Sequence, residues 1–176
     1  MLLLTLALLL IQLGFSFWIY RGISRISDFN PPNKIERSYS VIIAAHNEES
    51  GIAALLEKLS EQSYSTKKFE VILAADRCTD QTISIAEQFS QKLSLTILDI
   101  RDVPKGVSPK KNALEQAINK SQHDHLLFLD ADVRPTVRHI ETYNLYFADN
   151  VNAVVGIMAF EPANTFWQRF IIFEKL

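Results

Sequence analysis

Two aspartates one residue apart, Asp130 and Asp132, directly follow an apolar run at residues 126–129. Such a run is typical of a strand that is buried on both faces in a parallel sheet. Ligands of open α/β sheets bind at the carboxyl ends of the strands, so we expect both carboxylates at a crevice. Two negative charges there favour a shared Mg²⁺ or Mn²⁺ that also binds a ligand's phosphates. Two solvated acids at a strand end are the alternative.

Two further polar segments, residues 44–49 and 75–80, follow apolar stretches that are predicted to be strands. If the strands are parallel neighbours, both segments open at the same edge of the sheet as Asp130. A nucleotide bound there would meet carboxylates able to accept hydrogen bonds from its base or ribose. The chain has no glycine-rich phosphate-binding loop of the known types, which makes a metal more necessary.

Strand and helix patterns alternate along the chain, which predicts an α/β fold with a mostly parallel sheet and right-handed crossovers. The predicted strands cover residues 39–45, 69–75, 93–100, 125–129 and 153–158. The predicted helices cover residues 49–61, 79–91, 110–120 and 136–147. Residues 164–176 are predicted to form either a core helix or an amphipathic helix on a bilayer.

The first 20 residues carry no charged side chain, which predicts a transmembrane helix over residues 1–21 and contact with a lipid bilayer. Aromatic residues cluster at the end of this stretch and Arg21 and Arg25 follow it, so the positive-inside rule predicts that the rest of the chain is cytoplasmic. A cleaved signal peptide is the alternative, but the stretch lacks a basic start and a cleavage site. Residues 22–38 are interpreted as a linker.

Charge and cysteine content exclude several classes of function. The net charge is -2 and no long basic run is present, so nucleic acid is not expected as a partner. The single cysteine, Cys78, excludes an intramolecular disulfide and a cysteine-based zinc site.

The order of these segments resembles family 2 glycosyltransferases of the GT-A fold. Residues 40–49 are similar to the opening strand and loop of that family, and residues 70–82 to its second strand and acidic loop. Residues 106–114 resemble its glycine, basic and Leu-Asn-Ala segment. Asp130 and Asp132 match its Asp-x-Asp metal motif. The resemblance covers residues 39–158, and it identifies residues 39–176 as the N-terminal part of a GT-A domain.

The resemblance implies metal-dependent transfer of a sugar, of hexosyltransferase type, from a nucleotide-diphosphate sugar to a saccharide or lipid acceptor. The cytoplasmic face of a bacterial inner membrane is the expected location. Asp132, with Asp130, would hold Mg²⁺ or Mn²⁺. The residues expected to bind the donor are Ala45, Asn47, Glu48, Asp76, Lys111, Asn112 and Asp130. Within this set, Glu48 and Asp76 would hold the nucleoside, with Asp76 at its base, and Lys111 and Asn112 would support its ribose-phosphate side. Asn47 has helix capping as an alternative role.

The general base that activates the acceptor is expected beyond Leu176. We therefore expect the 176-residue chain to bind donor weakly at best and to have little transferase activity. Two other functions stay open at this point. One is a haloacid-dehalogenase-type phosphatase, which also places Asp-x-Asp after an apolar strand. The other is a non-catalytic, membrane-anchored nucleotide-binding protein.

Overall fold

A computed structural model of the chain describes residues 2–23, 35–147 and 151–156, without the side chains of residues 2–4, 7 and 23. The chain divides into two compact units, Met1–Pro32 and Asn33–Leu176. The first contains helix α1, Leu2–Ile23, along which the rings of Phe15 and Trp18 stack at 6.1 Å. Within the described residues, no helix combines the length and the apolar character needed to cross a bilayer, although residues 1–21 had been predicted to do so.

The second unit is an α/β fold built on one four-stranded sheet. Its strands lie in the order β3-β2-β1-β4, and every neighbouring pair is parallel, as the alternating pattern predicted. The elements are β1 Tyr39–Ala45, α2 Ile52–Ser60, a 3₁₀ turn at Thr66–Lys68, β2 Phe69–Asp76, α3 Thr82–Glu87, β3 Leu95–Ile100, α4 Pro109–Lys120, β4 His125–Asp130 and α5 His139–Tyr146.

Helices cover both faces of the sheet because alternate strand residues point to opposite sides. Val41 and Ile43 of β1 belong to the larger apolar cluster, which α2 joins through Leu55 and other buried residues. Ile42, between them, belongs to the smaller cluster with Ala113 of α4. The central strands β1 and β2 are almost entirely buried, which explains their continuous apolar sequences.

Several elements differ from their predicted bounds. Helices α2 and α3 begin three residues later than predicted, because residues 46–51 and 77–81 form loops that hydrogen-bond to each other, and α3 ends at Glu87 and not at residue 91. Residues 151–156 have no regular secondary structure, so the strand predicted over 153–158 is wrong in its described part. Residues 157–158 and the helix predicted over 164–176 lie outside the described residues. A linker is predicted over residues 22–38. In the structure, residues 22–23 belong to α1, and residues 35–38 have no regular secondary structure.

A buried polar network ties the amino ends of three strands together. The hydroxyl of Ser40 donates to Glu70 Oε1 at 2.6 Å, and the backbone N–H of Gln122 donates to the same oxygen at 2.6 Å. The N–H of His123 donates to Ser40 Oγ at 3.2 Å. Glu70 is 4% exposed, so these partners replace the water that the carboxylate has lost. The network lies at the edge of the sheet opposite to the polar loops.

A second buried contact joins β1 to α5. The Asn144 side chain accepts hydrogen bonds at Oδ1 from the hydroxyls of Tyr39 and Tyr64, both at 3.2 Å. Burial raises the pKa of the Tyr39 hydroxyl to about 12, with the nearby Tyr64 adding to the effect. The Asn144 amide thereby fixes the start of β1 against α5.

Candidate functional site

The carboxyl ends of β1, β2 and β4 are adjacent in the sheet, so the segments that follow them meet at one edge. We call residues 46–51 the first loop and residues 77–81 the second loop. Together with the turn after Asp130 and the start of α4, they enclose a cavity of about 550 Å³. Six charged side chains line this cavity, and they are Glu48, Asp76, Arg77, Lys110, Asp130 and Asp132. A cavity at this edge is where α/β sheets bind ligands.

The first loop is fastened to the second through Asn47. Its backbone has a φ of 55°, in the left-handed region that asparagine tolerates better than most residues. Asn47 Oδ1 accepts a hydrogen bond from the N–H of Thr79 at 2.8 Å, and the N–H of Asn47 contacts Cys78 Sγ at 3.5 Å. Asn47 therefore links the two loops. It does not cap α2, whose N-cap is Gly51.

A reciprocal set of hydrogen bonds holds Glu48 at the cavity. The N–H of Glu48 donates to Thr82 Oγ1 at 2.8 Å, and the Thr82 hydroxyl donates to Asp80 Oδ1 at 2.6 Å. Next to them, the N–H of Glu49 donates to Asp80 Oδ2, and Glu49 Oε2 accepts from the N–H of Gln81, both at 3.1 Å. The bonds of Glu48 and Glu49 reach the second loop and the first residue of α3, so the position of Glu48 depends on that segment.

Asp76, the last residue of β2, is paired with its neighbour Arg77. Arg77 Nε and Nη2 each donate to one oxygen of the Asp76 carboxylate at 3.0 Å. This bidentate contact holds the pKa of the Asp76 carboxyl below its ordinary value of 3.8, against the opposing effect of burial. His46 Nδ1 lies 2.6 Å from the backbone oxygen of Asp76 and donates to it. The three side chains thus form one wall of the cavity.

Asp130 forms an ion pair with a lysine at the start of α4. Lys110 Nζ lies 2.7 Å from Asp130 Oδ1, and the two side chains are 64% and 55% exposed. Asp132 lines the same cavity and is exposed. Gly51 packs close to this turn, because a Cβ at that position would lie 3.3 Å from the backbone oxygen of Ala131. A side chain there would press on the segment that carries the two aspartates.

Asp130 and Asp132 fit a divalent metal that is shared with a ligand. The described residues contain no cluster of three or more histidine, cysteine or acidic side chains able to hold a metal by themselves. Mg²⁺ commonly takes only one or two protein carboxylates and completes its shell with phosphate oxygens and waters. Two exposed carboxylates on one cavity suit that arrangement. They do not suit a permanent structural metal.

The structure brings together some of the predicted site residues and leaves others outside. Those that line the cavity are Ala45, Glu48, Asp76, Asp130 and Asp132. Asn47 lies outside it and joins the loops. Lys111 faces a neighbouring groove of about 630 Å³ along α4, with Leu114 and Ile118. Asn112 is 8% exposed within α4, and its Nδ2 has no hydrogen-bond partner.

Two basic residues of the cavity were not in the predicted site, Arg77 and Lys110. The sequence offered a signal for each, since Arg77 directly follows the predicted base-binding Asp76, and Lys110 stands beside Lys111. Helix α4 begins at Pro109, which places Lys110 between the cavity and the groove, lining both, and Lys111 on the groove alone. To predict which of two adjacent lysines lines the cavity, one must know how the helix is rotated about its axis, and the sequence pattern does not determine that rotation.

Comparison with protein families gives a match over most of this unit. The model of the family described as "Glycosyl transferase family 2" matches residues 40–175. The probable glycosyltransferase YdaM of Bacillus subtilis is 30% identical over an alignment of 142 residues that covers 78% of this chain and 33% of YdaM. The poly(ribitol-phosphate) beta-N-acetylglucosaminyltransferase TarS of Staphylococcus aureus is 32% identical over 94 residues, which are 53% of this chain and 16% of TarS.

Solved structures share the fold. Residues 1–349 of S. aureus TarS in complex with UDP-GlcNAc superpose with a TM-score of 0.53 and 30% identity, covering 61% of this chain and 30% of that one. The mannosyltransferase PcManGT of Pyrobaculum calidifontis, solved with GDP-Man and Mn²⁺, has a TM-score of 0.68 and 23% identity, over 78% and 40% of the two chains. This second likeness shows the fold. The chain thus spans a third or less of the sequence relatives named above.

Proposed function

The chain belongs to glycosyl transferase family 2, and we propose on that basis that it forms the donor-binding part of an enzyme that transfers a sugar from a nucleotide-diphosphate sugar. The observation that carries the proposal is the charged cavity at the carboxyl edge of the sheet, where Glu48, Asp76 and the two aspartates of β4 and its turn converge. Family membership disfavours the phosphatase alternative, since that hypothesis rested on the Asp-x-Asp motif alone.

The nucleoside is proposed to lie against the first two loops. Glu48 is held at the cavity by the bond from its N–H to Thr82, and it offers a carboxylate to ribose hydroxyls or base N–H groups. The relative TarS has been solved with UDP-GlcNAc, which makes UDP-GlcNAc the first donor to test. Lys110 lines the cavity whereas Lys111 does not, so we assign the phosphate side to Lys110 in place of Lys111.

Asp130 and Asp132 are the residues proposed to hold Mg²⁺ or Mn²⁺. When bound, the metal supplies positive charge that offsets the negative charge developing on the departing diphosphate. Lys110 pairs with one oxygen of Asp130, so it would compete with the metal for that carboxylate, and its ammonium group is the one proposed to donate to a phosphate oxygen. Transfer also needs a general base to take the acceptor's proton. The expectation that this base lies beyond Leu176 stays a prediction, as do the acceptor and the hexosyl nature of the sugar.

Attachment to a membrane also stays a prediction. It is supported by the large apolar side chains of α1 that are exposed, among them Leu10 at 64% and Trp18 at 71%. Apolar surface of this extent marks a partner or a lipid contact. Alkaline carbonate extraction of membranes from expressing cells would test the prediction, which recovery of the chain in the supernatant would contradict.

Titration calorimetry of the purified chain with UDP-GlcNAc, with and without MnCl₂, tests the proposed function. We expect binding that strengthens at least about tenfold with metal, because the single Lys110 ammonium does not balance both Asp130 and Asp132, and their carboxylates repel the diphosphate when no metal is present. Asp132→Asn should lose that gain. Asp124→Asn, a change at an exposed aspartate just before β4, is the matched control and should retain it.

The outcomes of the same titration separate the alternatives. Absence of binding to UDP-GlcNAc, UDP and GDP under all conditions would overturn the proposal. Binding that is the same with and without metal, and in Asp132→Asn, would leave a nucleotide site but refute the assignment of the metal. Labelled-sugar transfer by the 176-residue chain measures activity separately, and robust turnover would contradict the prediction that the base lies elsewhere.

A further inference from the structure

Gly51, the last residue of the first loop, lies against the turn that follows β4. We propose that Gly51 is a positioning residue for the metal site, because its missing side chain lets the start of α2 pack on the backbone that carries Asp132. The inference rests on the proposed function, since it concerns the metal site of the same cavity. It adds a residue that has no side chain of its own but on which the placement of Asp132 depends.

The distances across this contact leave little room for a side chain. A Cβ added to Gly51 would lie 3.3 Å from the backbone oxygen of Ala131 and 3.8 Å from Cα of Asp132. The second distance is an ordinary contact, but the first is tighter than most Cβ contacts in proteins. One of the two segments would have to move by a few tenths of an ångström to accept it. Glycine is the residue that permits this close approach of two backbone segments.

The turn is anchored to the core on its other side. Ala131 is 4% exposed and belongs to the larger apolar cluster, against which Val133 also packs. The N–H of Val133 donates to the backbone oxygen of Asp130 at 3.2 Å, which closes the turn. Because protein interiors are close-packed, the turn has no empty space to move into on that side. A side chain at position 51 would therefore displace the turn sideways, and Asp132 with it.

The start of α2 is also fixed. The N–H groups of Gly51 and Ile52 both donate to the backbone oxygen of Glu48, at 3.0 and 2.9 Å, and Ile52 is fully buried. Glu48 is itself bound to Thr82 through its own N–H. Neither side of the contact can therefore yield freely, so the displacement is expected to reach the exposed carboxylate of Asp132.

Backbone conformation and helix capping do not account for a glycine at this position. Gly51 is the N-cap of α2, with a φ of -113° and a ψ of -34°, which other residues also adopt. Serine, asparagine and aspartate cap helices at least as well as glycine, because their side chains accept hydrogen bonds from the first N–H groups. They also carry a Cβ, so the close approach to Ala131 is the property that only glycine provides here.

Titration of the chain with Mn²⁺ alone, followed by electron paramagnetic resonance, tests the inference. Gly51→Ala and Gly51→Ser add the same Cβ but differ in their ability to cap α2. A third variant combines Gly51→Ala with Asp132→Asn. Ser50→Ala, a change at the exposed residue next to Gly51, is the matched control. Urea unfolding followed by circular dichroism gives the folded fraction of each variant, to which the measured affinity refers.

We expect Gly51→Ala and Gly51→Ser each to weaken Mn²⁺ binding about 3- to 10-fold, less than the roughly 10- to 100-fold typical of losing a partner around metal ligands, because the displacement is small. In the Asp132→Asn background, Gly51→Ala should have little further effect, since the ligand that it displaces is already lost. Ser50→Ala should bind Mn²⁺ like the unaltered chain. A role of Gly51 in stability alone would change the folded fraction and not the affinity of the folded chain.

Three results would overturn the inference while leaving the proposed function intact. The first is an affinity of Gly51→Ala for Mn²⁺ equal to that of the unaltered chain. The second is recovery of that affinity in Gly51→Ser, which would assign helix capping to this position. The third is the same loss from Gly51→Ala with and without Asp132→Asn, since the effect would then not pass through Asp132. Failure of the unaltered chain to bind Mn²⁺ more tightly than Asp132→Asn does would instead refute the proposed metal site, and the inference with it.

Discussion

Replacing Thr82 with valine should loosen the two loops that form the cavity. Thr82 is fully buried at the start of α3, and its hydroxyl is the acceptor for the N–H of Glu48 at 2.8 Å. Valine has nearly the same shape but no hydroxyl. The change therefore leaves the packing in place and deprives the Glu48 N–H of its partner.

The size of the effect follows from that one N–H group. A buried donor left without a partner costs about 1–3 kcal/mol, and Glu48 is only half-buried, so we expect a loss of about 1–2 kcal/mol in the free energy of unfolding. The lost bond from Thr82 to Asp80 should add little to this loss, because water can replace it at the solvent-accessible Asp80 carboxylate. For a unit of this size the loss corresponds to a decrease in Tm of about 2–8 °C.

Urea unfolding followed by circular dichroism measures this loss, with an unchanged m value showing that the unfolded state is unaffected. Thr96→Val is the matched control, because Thr96 is exposed on β3 and should change stability by less than about 0.5 kcal/mol. Unaltered stability in Thr82→Val, within about 0.5 kcal/mol, would refute the reasoning that this bond holds the first loop.

Three further predictions concern charged and titrating groups. Lys110→Met should strengthen binding of Mn²⁺ alone about 1.5- to 5-fold by electron paramagnetic resonance, because an exposed competing ion pair is lost, and weaker binding would argue that Lys110 organises the site. Tyr39→Phe should be less stable than the unaltered chain at pH 7, having lost its bond to Asn144, but the difference should shrink between pH 10 and 12 in urea titrations. The folded state holds the Tyr39 proton more tightly than the unfolded chain, so its contribution is present below pH 10 and is lost as the pH rises towards 12. The opposite sign applies to Asp76, whose lowered pKa contributes stability above pH 3.8 that is lost as the pH falls further, so the stability difference between the unaltered chain and Arg77→Gln should decrease in acid.

The sheet was predictable because its strands carry strong local signals. The apolar sequences of β1 and β2 reflect burial on both faces, and their parallel pairing follows from the helices between them. The same logic predicts that the segments carrying Glu48, Asp76 and Asp130 lie at one edge of the sheet. Strand order determines which segments meet at the site, and the alternation of strand and helix patterns in the sequence is sufficient to infer that these segments share one edge.

The contacts inside the site depend on features that no local pattern encodes. The Asp76–Arg77 pair forms at a residue whose backbone is left-handed, a conformation that arginine usually avoids, and the N–H of that residue donates to the backbone oxygen of Ile100 on another strand. The role of Asn47 was ambiguous because an asparagine after a strand can cap a helix or bridge to another loop. Only the distance to Thr79, a tertiary contact, decides between the two.

The buried tie among Ser40, Glu70 and the segment before β4 has a consequence for how this scaffold can diversify. It sets the alignment of three strands from the end remote from the ligand, using side chains that never approach the cavity. Exchanging the second loop for that of a relative with another nucleotide preference should therefore leave the register of the strands unchanged. Evolution or protein design can therefore alter ligand recognition at the carboxyl edge of the sheet without changing the contacts that align the strands at its amino edge.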